Sequence, residues 1–226
     1  CFIGYEPGKE CVVYDYNAIE HKQYLFEKLG TYKGYLHADA DPWFEGLAKI
    51  PEITFSFCNA HARRKFEEIV KVTKNEGLAS YAMSVFKALY KIEREAKDAK
   101  LNADKRKELR QKKSNPLLEH FKKWLDINYP KTLPKSPVGQ AMHYTLKYWT
   151  ELTRFLEDGR LEIDNNLTEQ KIKPFVIARK NFLFSCSVAG AYALGNHFSL
   201  IQTAIMHGLN PYDYYVLLLK RLPYCK

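Results

Sequence analysis

The 226-residue chain has no cysteine pair at C-x-x-C spacing. Its five cysteines, Cys1, Cys11, Cys58, Cys186 and Cys225, are odd in number and irregularly placed. That pattern is no disulfide framework, and a reducing cytosol is the simpler setting. No apolar run approaches the roughly 20 residues of a membrane span. No signal peptide is visible, so the expected location is cytoplasmic, with no membrane partner. The phosphate-loop pattern G-x-x-x-x-G-K-[ST] and the dinucleotide pattern G-x-G-x-x-G are both missing. Nothing suggests a Ser-His-Asp site. Acidic residues are in deficit, 26 against 35 Lys and Arg, for a net charge of +9. That deficit favours an anionic partner, nucleic acid first. An initiating Met is absent as well. The opening "CFIGYEP" reads like the middle of a strand, and the expectation is that a longer protein precedes it.

What is present is a globular composition, 46% hydrophobic and 27% charged. Residues 1 to 16 read as a β-hairpin around the turn "EPGKE". Residues 18 to 29 carry Ile19, Tyr24 or Leu25, and Leu29 on a helical face, and Gly30 suits the stop. "GYLHAD" is a strand ending in acids. "DPWFEGLAKI" reads as a helix capped by Asp41 with Pro42 at its first position. "EITFSFC" is another strand. This alternation predicts an α/β fold with at least one parallel pair. From Ala60 to Glu157 the pattern is helical throughout. Within it, residues 91 to 113 hold ten basic and five acidic residues, read as a solvated helical hairpin. Met142, Leu146, Trp149, Leu152 and Leu156 form a packing stripe. Leu194, Phe198, Ile201 and Ile205 line one face of a later helix. Gly208 suits its end, and Asn210-Pro211 starts another.

Candidate chemistry begins with Asp39, at the end of an apolar strand. Ligands gather at the carboxyl ends of strands in open α/β sheets, and an acid there is placed to hold a metal. Capping of the next helix is the plain alternative, and Asp41 fits it better. Glu169 is a second candidate. With Asn166 as an N-cap it also fits a capping-box start. Cys58 and His61 form a C-x-x-H pair, but zinc needs about four ligands and no second pair exists. A structural role without zinc is expected. Arg63, Arg64 and Lys65 follow at once. They are a solvated face on their own, and a phosphate clamp beside metal-binding acids.

Several stretches then coincide with one family. "GYLHADADPWF" (34–44), "CNAHARRKF" (58–66), "DGRLEIDNNLTEQKIKPFVIARKNFLFS" (158–185) and "SLIQTAIMHGLNPYDYY" (199–215) resemble, in order and spacing, blocks of the insertion-sequence 66 type bacterial transposases. The resemblance covers nearly the whole chain, and the Asn165-Asn166 to Ser185 block is specific. It implies a ribonuclease-H-like sheet, its first strand missing here, with a large all-helical insertion. Residues 1–59 would be partial sheet, 60–157 the insertion, and 158–226 the catalytic-Glu helix and C-terminal helices.

The resemblance makes Asp39 and Glu169 catalytic, metal-binding acids of a DDE triad. The cofactor would be Mg²⁺ or Mn²⁺. Arg63, Arg64, Lys65, Lys171, Lys173, Arg179 and Lys180 would grip the backbone of duplex DNA, the transposon ends and target. Cys58, His61, Asn165 and Asn166 would be structural. Homo-oligomers are expected. Three departures stand out: Asp39-Ala40-Asp41 replaces the family's D-G-Y, leaving Asp41 a rival. Lys173 replaces an Arg, and Asn59 replaces a Trp. No residue matches the family's first Asp, and Asp15 is not promoted to it. The implied activity is cleavage and strand transfer, with two ions roughly 3.5–4 Å apart. This chain alone is expected to be inactive. Two other readings stay open: a non-catalytic DNA-binding or assembly module, and a nuclease that does not join strands.

Overall fold

The computed structural model describes residues 2–5, 11–17, 22–44, 46–73, 77–182 and 185–224. The molecule is a mostly helical α/β protein that divides into two compact units. One is Cys1–Tyr24 with Asn166–Lys226, and the other is Leu25–Asn165. The four strands form two separate two-stranded sheets among the described residues.

In the first unit, β1 (Phe2–Tyr5) and β2 (Val13–Tyr16) pair antiparallel, with Gly4 opposite Tyr14. This is the expected hairpin; its turn residues lie outside the described set. Helices α8 (Asn166–Phe182), α9 (Val188–Met206) and α10 (Pro211–Arg221) complete the unit. A two-stranded hairpin is marginal alone, so β2 needs further partners. It finds them on α9. The N–H of Val12 donates to Thr203 Oγ1 at 2.9 Å and that of Tyr14 to Ser199 Oγ at 2.8 Å. Ser199 and Thr203 are one helical turn apart, so their hydroxyls stand where a neighbouring strand would offer carbonyls. Val12, Tyr14 and Phe175 are buried, with Leu194, Phe198 and Met206 packed against them. The Tyr14 and Phe175 rings stack at 5.3 Å, and Phe198 meets Phe175 edge-on at 5.0 Å. The Tyr14 hydroxyl donates to the Lys171 carbonyl. Burial pushes that phenol up to about 12. The face of α9 that packs is set by Ala191, Gly195, Gln202 and Ala204. Ile205, read as part of the apolar face, is 46% exposed instead. Asn210 caps α10 through the Tyr212 N–H at 2.9 Å, as its Asn-Pro start predicts.

The second unit opens with most of α1 (Lys22–Leu29), which stops at Gly30. Strands β3 (Gly34–Ala38) and β4 (Ile53–Phe57) follow as a parallel pair, Ala38 opposite Phe57. The helix expected over "DPWFEGLAKI" is two 3₁₀ turns, Pro42–Phe44 and Leu47–Lys49. Gly46 between them is a poor helix interior residue. The turns are closed by short i+3 bonds, Phe44 N–H to the Asp41 carbonyl and Ile50 N–H to that of Leu47. From Asn59 the chain is helical, as expected: α2 (Asn59–Thr73), α3 (Leu78–Asp98), α4 (Ala103–Leu109), a π-helical turn (Arg110–Ser114), α5 (Asn115–Asn128), α6 (Pro137–Lys147) and α7 (Trp149–Thr153). Phe66, Phe86, Leu89, Phe121, Leu125, Met142 and Phe155 form their core. Met142, Leu152 and Leu156 of the predicted stripe are buried in it.

The reading of residues 91–113 as a solvated hairpin fails at three positions, Glu93, Ala96 and Arg110. Buried residues of α3 include Ala82, Val85, Phe86, Leu89, Glu93 and Ala96, a helical stripe with one acid in it. Glu93 is paired with Arg110, which is 0% exposed, and with Arg106. Charge counts hid this because burial follows the helix face, not the local composition. Removing one partner of such a pair costs about 3–5 kcal/mol.

Two substitutions test these packing arguments. Ser199→Ala leaves the Tyr14 N–H without its acceptor and is expected to destabilise by about 1–3 kcal/mol. Gly159→Ala is expected to cost at least as much, because a Cβ there falls on the backbone carbonyl of Ala103. Urea unfolding checks both, and wild-type midpoints in both would contradict the packing described.

Candidate metal centre

The parallel register of β3 and β4 decides where the candidate residues stand. Both strands end together, and the Cys58 N–H donates to the Ala38 carbonyl at 3.2 Å. Asp39 and Cys58 therefore leave the sheet side by side. α2 starts at the next residue and brings His61 round on its first turn. A third segment, Ile163–Asn165, closes the group. The Asn59 N–H donates to the Ile163 carbonyl at 3.0 Å, and the buried Asn59 amide donates to the carbonyls of Leu152 (2.8 Å) and Ile163 (3.2 Å). Asn165 then donates its side-chain N–H to Asp39 Oδ1 at 2.7 Å and its backbone N–H to Cys58 Sγ at 3.4 Å. His61 Nδ1 lies 3.1 Å from the same Asp39 Oδ1. One ligand atom each from Asp39, Cys58 and His61 falls within 4.8 Å of the others.

The electrostatics separate these three. Cys58 is fully buried, and burial pushes its thiol up to about 11 even though backbone N–H groups of Asn165, His61 and Ala60 favour the thiolate. A thiol held protonated is a weak metal ligand, since the thiolate is the ligating form. The oxygens differ. Asp39 Oδ1 accepts the Asn165 hydrogen bond, and His61 Nδ1 approaches the same oxygen without a hydrogen bond. Asn165 Oδ1 is buried and takes no hydrogen bond from any described residue. Carboxylate and amide oxygens with a neutral, sulfur-bearing neighbour suit Mg²⁺ or Mn²⁺ better than zinc. The residues present thus fit a hard divalent ion. Asp41 is exposed, and its backbone serves the 3₁₀ turn after β3.

Outside this cluster the candidates divide. Arg63 ion-pairs with Glu67 at 3.4 Å, and its guanidinium lies 5.4 Å from the Tyr90 ring centre. Lys65 Nζ sits 4.7 Å from that of Tyr144. Arg64 is exposed. Tyr90 donates to Asp164 Oδ2 at 2.7 Å, and burial followed by that bond holds its phenol well above the ordinary range. Burial also pushes Tyr144 up to about 12, with the Asp39 charge adding to it. Sequence reasoning noted Asn59 only as a departure from the family block and missed Tyr90 and Tyr144, because nothing in their spacing marks them.

Glu169 belongs to the other unit, half-buried in the first turn of α8, which begins at Asn166. On the helix Glu169, Lys173 and Lys180 share a face by spacing, and both lysines are exposed. Lys171 lies on the opposite side, near buried Phe175, and is half-buried. Arg179 is in the same helix.

Residues 2–193 match the sequence model of the family described as Transposase IS66 family. Three uncharacterized proteins of Sinorhizobium fredii are similar. The protein y4jD is 31% identical over 223 residues, covering 96% of this chain and 43% of its own length. The protein y4hP is 32% identical over 207 residues, covering 85% and 37%, and y4qI is 32% identical over 193 residues, covering 82% and 35%. The chain therefore spans less than half the length of these relatives. No solved structure matches it. Among the described residues, no helix is long and apolar enough to cross a membrane.

The raised thiol of Cys58 gives a direct test. Below about 11 its thiolate is scarce, and the sulfur is enclosed. At pH 8 the native protein should be alkylated readily at exposed Cys186 and very slowly at Cys58. Mass spectrometry of tryptic peptides reads both sites, and equal labelling would refute the enclosed, protonated thiol.

Proposed function

Because this chain belongs to the IS66 transposase family, we propose that it carries two acids, Asp39 and Glu169, of a metal-dependent DNA transposase with a ribonuclease-H-like core. The observation that carries this reading is the setting of Asp39. It stands at the joint carboxyl end of a parallel strand pair, with Oδ1 accepting from the Asn165 side chain at 2.7 Å and His61 Nδ1 3.1 Å from the same oxygen. Bound Mg²⁺ or Mn²⁺ supplies the Lewis acidity that activates water, and then a 3′-hydroxyl, for attack on a phosphodiester.

Each side chain has a defined part. Asp39 would hold the ion through its carboxylate. Asn165 orients the carboxylate through its hydrogen bond, and His61 lies against the same oxygen, so little ordering remains to be done on binding. Glu169 is the second acid. Arg64, Lys173 and Lys180 lie exposed and contact DNA phosphates, which gives affinity without base readout. Arg63 and Lys65 are held over tyrosine rings and contribute less to the DNA grip, as does half-buried Lys171.

Two measurements test the reading. Mn²⁺ titration followed by water-proton relaxation is expected to find a site on the wild-type chain that Asp39→Asn removes and His61→Ala weakens. Indifference to Asp39→Asn would remove the metal assignment. Plasmid nicking in Mn²⁺ by this chain is expected to be absent. Nicking abolished by Glu169→Gln would instead show a complete catalytic set within the 226 residues.

Duplex DNA binding separates the phosphate contacts. Each neutralised phosphate adds roughly 0.9 to the slope of log affinity against log salt. Lys173→Ala and Lys180→Ala should each flatten that slope by about this amount, and Lys171→Ala by less. A slope unmoved by the double variant would place DNA elsewhere.

A further inference from the structure

The segment that delivers Asn165 to Asp39 has no regular structure. It runs from the end of a 3₁₀ turn at Leu156 to the start of α8. Its carbonyls therefore need donors from elsewhere, and one source dominates. Arg110, the first residue of the π-helical turn, donates to the carbonyls of Phe155 (2.7 Å), Asp158 (3.1 Å) and Leu161 (2.9 Å). Its remaining donors grip Glu93, through Nε and Nη2, both at 2.8 Å. Arg106 binds Glu93 at 2.7 Å, both oxygens of Glu162, and the Gly159 carbonyl at 3.4 Å. Gln111 adds a bond to the Leu156 carbonyl at 2.9 Å. Four consecutive polar groups then follow toward the acid: Glu162 on Arg106, Ile163 on Asn59, Asp164 on Tyr90, Asn165 on Asp39.

We propose that the Glu93–Arg106–Arg110–Glu162 network, built on the buried Glu93–Arg110 pair, is a positioning device for Asp39. It fixes residues 155–165, so that Asn165 arrives in register to hold the carboxylate. The proposal rests on the reading of Asp39 as a metal-holding acid. Three features support it. A π-turn widens the helix where Arg110 enters, and such turns recur at functional sites. Arg110 spends three of its five donors on backbone carbonyls between Phe155 and Leu161 and two on Glu93, which a simple ion pair does not require. The segment's last residue bonds both Cys58 and Asp39, so a shift of its backbone reaches the acid within one residue. None of these four charged residues belongs to the Asp39–Cys58–His61 group. They are positioning residues, acting through Asn165.

The experiment compares wild type with Arg110→Lys, Glu162→Gln and Leu125→Ala. Arg110→Lys keeps the charge but loses the planar fork that reaches several carbonyls. Glu162→Gln weakens the hold on Arg106 and leaves the buried Glu93–Arg110 pair intact, so it remains informative if Arg110→Lys does not fold. Leu125→Ala opens the buried core at a residue that makes none of the network's hydrogen bonds and controls for lost stability. Two signals are read: the NMR resonance and exchange rate of the Asn165 side-chain amide, and Mn²⁺ affinity. Both network variants are expected to shift the Asn165 resonance and speed its exchange. Both should weaken Mn²⁺ by about 10- to 100-fold, the usual cost of losing a partner behind a metal ligand. Leu125→Ala should change neither. An unmoved Asn165 signal in the network variants, unchanged Mn²⁺ affinity despite a moved signal, or an equal loss in Leu125→Ala would each overturn the proposal. If wild type binds no Mn²⁺, the metal reading fails and the proposal with it, while the Asn165 signal still decides whether the network places that amide.

Discussion

A backbone carbonyl buried in an irregular segment must find a donor, and in the larger unit that need falls on residues 155–165. Arg110 meets much of it, and Glu93 makes Arg110 tolerable inside the core. Neither residue could remain alone. An unpaired guanidinium or carboxylate at that depth would carry a desolvation cost of several kcal/mol. The pair is satisfied because α3 presents Glu93 in its buried stripe and the π-turn presents Arg110 opposite it. Once both are in place, the path of the chain up to Asn165 is tightly constrained, and so is the far side of the Asp39 cluster.

The near side of that cluster comes from sheet register. A parallel pair whose strands end at Ala38 and Phe57 puts the next residues of both strands together. Asp39 and Cys58 become neighbours without any side-chain contribution to the choice. A one-residue slip would turn Asp39 to the other face and break the group. Two independent constraints, backbone register and a buried ion pair, therefore converge on one carboxylate. Cys58 beside it is fully buried, and burial keeps its thiol protonated.

The smaller unit solves a different problem with different chemistry. Its hairpin has too few strands to be stable alone. Hydroxyls from one face of α9 bond the N–H groups of β2, and a Tyr14–Phe175–Phe198 ring cluster fills the layer beneath. This fixes α8 as well, since Phe175 is part of that cluster and the Lys171 carbonyl takes the Tyr14 hydroxyl. Phe175 buried on one side of α8 leaves Lys173 and Lys180 on the other, on the face that carries Glu169.

The sequence by itself determined the hairpin, the parallel strands, the long helical region and the family. Those features rest on local periodicity, turn residues and spaced motifs, each legible within a short window. It also marked Asp39, Cys58, His61 and Asn165 as worth attention, without saying that they meet. Only the tertiary structure decided that Asn165 bonds Asp39, that Asn59 ties α2 to Ile163, and that Arg110 lies in the core although its neighbours are solvated. Composition read residues 91–113 as surface because it counts charges, whereas burial is set by the face a helix turns inward. The "DPWFEGLAKI" segment became two 3₁₀ turns, with Gly46 between them where a helix interior was expected. Contacts between residues a hundred positions apart leave no periodic trace, because they are chosen by packing and hydrogen-bond satisfaction across the fold and not by any pattern along the chain.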